Sequence, residues 1–246
     1  MFNKINKLFS QKEKKIDYYH VDIHSHLIPA IDDGSKSMQE SIEIIKKFKE
    51  LGFKKLITTP HIMQHRFPNT SQIILSGVTE VQNELVKQGI DIELEAASEY
   101  YLDEHFMKLL EKRDVLTFGD NYLLFELSYA MKPANLLELI YEIEVAGYQP
   151  VLAHPERYLY LHDNFALYEQ LKERGVLFQV NLNSFSGYYS KPVHKAVIKI
   201  SEKGWINFIG SDTHKLSQLE HFSNNYKGKV IEKVFENNSI RNNQLL

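Results

Sequence analysis

The sequence predicts a single α/β domain built on parallel strands that close, or nearly close, into a barrel. Seven short β-rich runs alternate with longer stretches of helical period along the 246 residues. Crossovers of that kind join parallel strands, whereas antiparallel neighbours are joined by hairpins. A chain of this length with 43% hydrophobic residues can bury one good core, and α/β barrels often run this long as one unit. An open doubly wound sheet is the alternative, weakened by the absence of a glycine-rich phosphate loop of the GxGxxG or Walker type. There is no internal repeat, low-complexity linker or domain break, so residues 20–246 are assigned to the barrel domain.

The strand candidates are "YHVDI" (19–23), "KKLITT" (54–59), "IELEAA" (92–97), "YLLFEL" (122–127), "QPVLA" (149–153), "VLFQVN" (176–181) and "INFIG" (206–210). In "SMQESIEIIKKFKELG", Ile42, Ile45, Phe48 and Leu51 form an apolar stripe at helical spacing. Ser37 can cap that helix, Glu40 completes a capping box, and Gly52 can end it. "ANLLELIYEIEVAG", "NFALYEQLKERG" and "KPVHKAVIKISEKG" repeat the design, each closing on a glycine.

Composition excludes several function classes. A net charge of −3 argues against general nucleic-acid binding, and no run approaches a membrane-spanning length of apolar residues. The absence of cysteine removes disulfides, thiolate zinc sites and every cysteine-nucleophile mechanism. The lysine-rich extension, residues 1–19, lacks the apolar core and cleavage site of a signal peptide, so a cytoplasmic protein is expected. Phe2, Ile5, Leu8 and Phe9 lie at helical spacing there, which would allow a membrane-surface helix, although a frayed polar leader is the favoured expectation.

In a parallel barrel the site gathers at the carboxyl ends of the strands. After the first strand come His24 and His26, after the second His61, and at the end of the third Glu99. The fourth carries Glu126, the fifth ends on His154, the sixth on Asn181 and Asn183, and the seventh on Asp212 and His214. His24/His26 and Asp212/His214 are spaced i, i+2, which on extended chain points both side chains the same way. Singly, each has a structural explanation: His61 could cap a helix, and His154 before Pro155 could be a satisfied loop residue. Glu126 inside "LLFELS" is harder to dismiss, because a buried carboxylate needs a cation or a donor. Asp32 and Asp33 before Gly34 read first as turn residues, and Asp32 is kept as one. His20 is assigned to packing, and His65, His105, His162, His194 and His221 to the surface. A sulfur-free His/Asp/Glu set suits Mn²⁺, Fe²⁺ or Zn²⁺. With Asp33 there are nine candidates, more than one ion uses, so two or three ions are expected.

"DIHSH", "TTPH", the isolated Glu99, "AHPER" and "SDTH" resemble, in this order, the PHP (polymerase and histidinol phosphatase) superfamily over residues 20 to 225. Within it, "DIHSHLIPAIDDG", "ASEYY", "LLFELS" and "AHPERY" look like the CpsB/CapC/YwqE-type bacterial protein-tyrosine phosphatases of capsular and exopolysaccharide synthesis. The resemblance implies a distorted (β/α)₇ barrel with up to three divalent ions, most often Mn²⁺, with Fe²⁺, Zn²⁺ or Mg²⁺ as alternatives. His24, His26, Glu99 and Asp212 would hold one ion, Glu99 bridging to a second completed by Glu126 and His154. Asp33, His61 and His214 would form the third site. Arg157, in "HPERY", would grip the substrate phosphate through its planar donor fork; the structural alternative is a surface ion pair with Glu156. Relatives can carry an arginine just beyond SDxH, where this chain has only Lys215, and Arg66 is the candidate substitute.

The expected chemistry is hydrolysis of a phosphotyrosine ester by hydroxide shared between two ions, coordination lowering the pKa of water from about 16 to about 7. His61 and Asp33 are the candidates for protonating the leaving oxygen, provided that metal does not commit them fully. The resemblance implies a membrane-associated tyrosine autokinase of polysaccharide export as the phosphotyrosine partner, and leaves homo-oligomerisation open. Two alternatives stand beside it: a small-molecule phosphomonoesterase such as histidinol-phosphatase, and a non-catalytic, metal-stabilised docking module.

Overall fold

A computed structural model describes residues 20–225 and 228–246; the leader and its helical spacing lie outside the described residues. The strands are β1 (Val21–Asp22), β2 (Lys55–Thr58), β3 (His61–Ile62), β4 (Glu93–Ala96), β5 (Glu99–Tyr101), β6 (Tyr122–Glu126), β7 (Gln149–Ala153), β8 (Leu177–Asn181) and β9 (Ile206–Gly210). The helices are α1 (Met38–Leu51), α2 (Ser71–Lys87), α3 (Glu104–Glu111), α4 (Leu136–Val145), α5 (Leu159–His162), α6 (Phe165–Glu173), α7 (Lys191–Glu202), α8 (Leu216–Asn225) and α9 (Gly228–Asn237). Each of the seven expected runs contains a strand, and every strand pairing is parallel.

α1 shows how local sequence writes local structure. Ile42, Ile45, Phe48 and Leu51 are all buried on one face. The Ser37 hydroxyl accepts from the Glu40 N–H at 3.2 Å, while the Glu40 carboxylate reaches back to the Lys36 N–H at 2.9 Å, one residue earlier than the usual box. Gly52 takes the left-handed conformation that ends the helix, as do the glycines after α4, α6 and α7.

The ring is distorted because its second and third strands break. β1, β2 and β4 form one sheet; β3, β5, β6, β7, β8 and β9 form another, in that order. Pro60 follows β2 and has no N–H to continue a ladder. Beside it the Thr59 N–H turns to the Ser25 carbonyl at 2.7 Å, and Ser98 Oγ donates to the Pro60 carbonyl at 2.8 Å. Both strands thereby leave the first sheet and enter the second, which sets His61 directly opposite Glu99 in register.

The two ends of the ring meet above the last strand. Ser25 and Thr213 form an isolated parallel bridge, and the Asp212 N–H donates to the His24 carbonyl at 2.7 Å. Lower down, one side chain fills the seam between β1 and β9. Asn242 Nδ2 donates to the carbonyls of Val21 (2.8 Å) and Ile209 (2.7 Å), and its Oδ1 accepts from the Ile209 N–H (3.0 Å). Gly210 is required at this point, since a Cβ there would lie 2.6 Å from that of His24.

Inside the barrel, Val21, Ile23, Ile57, Ala97, Leu124, Val151, Ala153, Leu177 and Phe208 form a packed layer to which each of the seven expected runs contributes. Strand alternation sets the polar layer above it: Ala97 is followed by Glu99 two residues on, Leu124 by Glu126, and Leu177 by Gln179 and Asn181. A larger apolar shell lies between the strands and the surrounding helices. No helix among the described residues is long and apolar enough to cross a membrane.

Of the histidines assigned to the surface, only His65 is exposed. His162, His194 and His221 are half-buried and hydrogen-bonded to the Glu156 carbonyl, the Ser184 carbonyl and the Ser186 hydroxyl respectively. Their helices turn these rings toward the loops above the sheet, a tertiary contact that helical periodicity does not reveal.

Candidate metal centre and active site

Four overlapping groups could hold a metal ion among the described residues, and together they use the nine expected residues and no others. The groups are His24/Glu99/His154, His24/His26/Asp212, His61/Glu99/Glu126 and His26/Asp33/His61/His214. Glu126 is therefore grouped with His61 rather than with His154, and His26 is shared between two groups. Otherwise the groups keep the partition implied by the resemblance, with His24, His26 and Asp212 in one and Asp33, His61 and His214 in another, while the kink at Pro60 adds the approach of His61 to Glu99.

The centre of the cluster is Glu99 Oε2. Three imidazole nitrogens surround it: His61 Nδ1 at 3.1 Å, His24 Nε2 at 3.2 Å and His26 Nε2 at 3.7 Å. All four atoms are buried and have no hydrogen-bond partner. Buried polar atoms are rarely left so, and convergent unpartnered imidazole and carboxylate atoms are the donor set of a divalent cation. The ring orientations agree. His24 Nδ1–H donates to Gln179 Oε1 at 2.7 Å, and His26 Nδ1–H donates to Asp32 Oδ2 at 2.7 Å, so each Nε2 keeps its lone pair for the centre.

Electrostatics point the same way. Burial opposes protonation of His24, but Glu99 and Asp212 outweigh it and raise its pKa to about 9. His61 is likewise raised to about 10 against its burial, by Glu99 and Glu126. The carboxylates of Glu99 and Asp212 are buried, yet adjoining His24 holds both below the usual carboxylate range, helped by His61 and Arg157 respectively. The carboxylates thus demand positive charge at the centre, from protons or from a cation. His26, lowered to about 4 by burial and by His214, is a neutral donor.

Around this centre the backbone is strained. His154 (φ 35°) and Asp212 (φ 51°) are non-glycine residues in the left-handed region, and such strain concentrates at functional sites. The cluster opens into a cavity of about 230 Å³ lined also by Met63, Phe67, Tyr101 and Tyr129, with Arg66 and Arg157 on its wall. Arg157 Nη1 donates to Asp212 Oδ2 at 2.7 Å, and its guanidinium lies 4.9 Å from the Tyr129 ring and 4.6 Å from that of Tyr189.

Residues 20–242 match the family model for capsular polysaccharide synthesis, CpsB/CapC. The chain belongs to this family. The tyrosine-protein phosphatase YwqE of Bacillus subtilis is 29% identical over 216 residues, covering 87% of this chain and 85% of that protein. The tyrosine-protein phosphatase CpsB of Streptococcus pneumoniae is 27% identical over 202 residues, covering 80% and 83%. A crystal structure from a study of YwqE and CpsB, described as unique metal-dependent tyrosine phosphatases, has a TM-score of 0.75 to this fold. It is 26% identical in sequence, over 89% of this chain and 96% of that one.

In this CpsB/CapC chain one structural alternative is set aside and one expectation needs correction. Arg157 makes no surface pair with Glu156, which is fully buried and accepts from the Asn181 N–H (2.8 Å) and Ser184 Oγ (2.7 Å). Asp32 is more than a turn residue: besides the Gly34 N–H it takes the His26 ring and the His61 N–H, orienting two candidate ligands. Gly34 permits this, since a Cβ there would lie 2.4 Å from that of His26. Asp22, kept as structural, anchors the loop before Asp212 by accepting from Ser211 N–H and Oγ.

Sequence reasoning missed Gln179, Tyr129 and Tyr189, and assigned Asn181 no partner. Asn181 Nδ2 donates to Asp212 Oδ2 at 2.6 Å, and Gln179 Nε2 to Asn181 Oδ1 at 3.0 Å. Gln179 was within reach of sequence reasoning, standing two residues before Asn181 on the inward face of β8. Arg66 is mostly exposed and lies 3.4 Å from Asp33 Oδ2 at the cavity wall.

Proposed function

We propose that the chain is a metal-dependent phosphatase that hydrolyses phosphotyrosine on a protein. The observation that carries this is Glu99 Oε2 within 3.7 Å of three buried, unpartnered imidazole nitrogens, in a cavity that Arg157 also lines. His24, His26, Asp33, His61, Glu99, Glu126, His154, Asp212 and His214 are assigned as ligands of two or three divalent ions, with Mn²⁺ as the metal. Such ions neutralise phosphoryl charge and lower the pKa of water, making hydroxide available at neutral pH.

The protein's own groups supply the rest. Arg157 presents guanidinium donors to the phosphoryl oxygens, whose charge must be stabilised during transfer. Its position between Tyr129 and Tyr189 limits the entropy lost on binding, and the same aromatic wall suits an aryl ester. Arg66, at the mouth, is the second phosphate contact. Proton delivery to the leaving phenolate falls to whichever of Asp33 and His61 the metal leaves uncommitted; their side chains lie 3.5 Å apart on the cavity wall. Gln179, Asp32 and Asn181 hold His24, His26 and Asp212 in place.

The family's role in capsular polysaccharide synthesis and the relatives named tyrosine-protein phosphatases support a polysaccharide-export tyrosine autokinase as substrate. The enzyme would then act in the cytoplasm, at the inner face of the membrane holding that kinase. The test compares turnover of a phosphotyrosine peptide, histidinol phosphate and a nucleotide under Mn²⁺. Preference for the peptide is expected; equal or greater turnover of histidinol phosphate would refute the assignment.

A further inference from the structure

A basic groove lies along α7 on the outer wall, separate from the catalytic cavity. α7 carries Lys191, Lys195 and Lys199 at intervals of four residues, hence on one face. With His162, Phe165 and Pro192 they line a groove of about 380 Å³ to which no carboxylate contributes, on a chain of net charge −3. All three lysines are exposed, and the Lys199 ammonium stands 3.4 Å from the centroid of the Phe165 ring. Like charges one turn apart repel each other, so three in a row without acidic partners weaken the helix unless an anion offsets them. The next lysine along, Lys203, is already paired with Glu169 at 3.5 Å, so the bare stretch is the upper one.

That upper end is tied to the phosphate clamp at two points. Lys191 follows Ser190, which caps α7, and Ser190 follows Tyr189, whose ring packs 4.6 Å from the Arg157 guanidinium. His162 Nε2–H donates to the carbonyl of Glu156, the neighbour of Arg157, at 2.7 Å. An extended chain leaving the Arg157–Tyr189 edge, at about 3.3 Å per residue, would reach Lys191 within roughly three residues. Lys191 to Lys199 spans about 12 Å of helix, or roughly four further residues of extended chain.

We propose that this groove binds an acidic polypeptide segment flanking the phosphotyrosine, so that the enzyme selects phosphotyrosines beside carboxylates. This rests on the phosphotyrosine function proposed above. Exposed ion pairs are individually weak, and three together account for a preference of about tenfold at low ionic strength, equivalent to about 1.4 kcal/mol.

The test uses the full chain loaded with Mn²⁺ and peptides with four glutamates or four glutamines beside the central position. With phenylalanine at that position, fluorescence anisotropy reads binding without turnover; with phosphotyrosine, kcat/KM is measured. Wild type should favour the glutamate peptide about tenfold in both assays, and the Lys191→Gln/Lys195→Gln/Lys199→Gln variant should bring both ratios to within twofold of unity. Equal binding of the two peptides by wild type, or an undiminished ratio in the variant, would overturn the proposal. So would a variant that loses only binding to phosphatidylserine vesicles, which would assign the groove to a membrane surface. Lysine-dependent binding without phosphotyrosine turnover would uphold the groove and refute the function on which it is placed.

Discussion

Gln179→Leu tests the metal centre through a residue that need not touch metal. Gln179 is fully buried, and its Oε1 is the acceptor that fixes the His24 ring at 2.7 Å. Leucine conserves much of the volume but leaves the His24 Nδ1–H without an acceptor, a burial penalty of about 1–3 kcal/mol. The metal-free ring can escape by giving up the Nδ1 proton and keeping the one on Nε2, which faces Glu99 Oε2 at 3.2 Å, but Nε2 is the atom assigned as ligand. Metal binding must then reverse the escape, so the penalty appears in affinity. A loss of about 10- to 100-fold in Mn²⁺ affinity is expected, or about 1.4 to 2.7 kcal/mol. Isothermal titration calorimetry on metal-stripped protein reads this directly. Gln179→Glu retains an acceptor at the same place and should keep wild-type affinity or exceed it. Unchanged affinity in the leucine variant, or equal losses in both variants, would refute the role of Gln179 in orienting a ligand.

Asn242→Ala should lower urea stability by about 3–5 kcal/mol, since three buried hydrogen bonds at the barrel seam are lost together. Burial raises Asp22 from 3.8 to about 7, so between those values the unfolded state binds fewer protons and stability falls as pH rises. The shift amounts to about 4 kcal/mol, and metal-free Asp22→Asn, compared with metal-free wild type by urea titration at several pH values, should lack that part of the slope. Arg157→Ala should reduce kcat/KM on a phosphotyrosine peptide about 100-fold with metal content intact by elemental analysis; parallel loss of metal would make it a structural residue. Activity should survive iodoacetamide and be lost to EDTA, and sensitivity to alkylation would contradict a mechanism without cysteine.

The legible parts of this protein are those in which a residue's role depends on its near neighbours. Ser37, the Ile42–Ile45–Phe48–Leu51 stripe and Gly52 specify α1 within sixteen residues, and the helix forms between those marks. The ligand candidates were legible for a related reason: a parallel barrel sends every strand's carboxyl end to one rim, so the residues just past each strand end are the ones that meet there. The breaks at Pro60 and Ser98 were not legible as sheet switches. A proline marks an interruption but does not say which neighbouring strand takes up the chain afterwards. His61 is grouped with Asp33 and His214, as the resemblance implies, and its register with Glu99 also sets it beside the centre.

Asp32 shows the same limit. Asp32 looks like a turn residue because its neighbour Gly34 is near in sequence, yet it also serves His61, twenty-nine positions away. Arg157, placed at the rim by its position three residues after His154, leaves its neighbour Glu156 and finds Asp212 at a separation of fifty-five residues.

By itself the sequence determined the fold class, the rim on which the candidate site sits, the nine candidate ligands and the exclusion of cysteine chemistry. All four come from local pattern, composition and strand direction. Only the tertiary structure decided which candidate ligands lie together, that Gln179 and Asp32 aim two of the rings, that two tyrosines flank Arg157, and that Asn242 fills the seam. Those depend on contacts between strands far apart in the chain, where kinks and register of a fraction of a strand's length set which atoms meet.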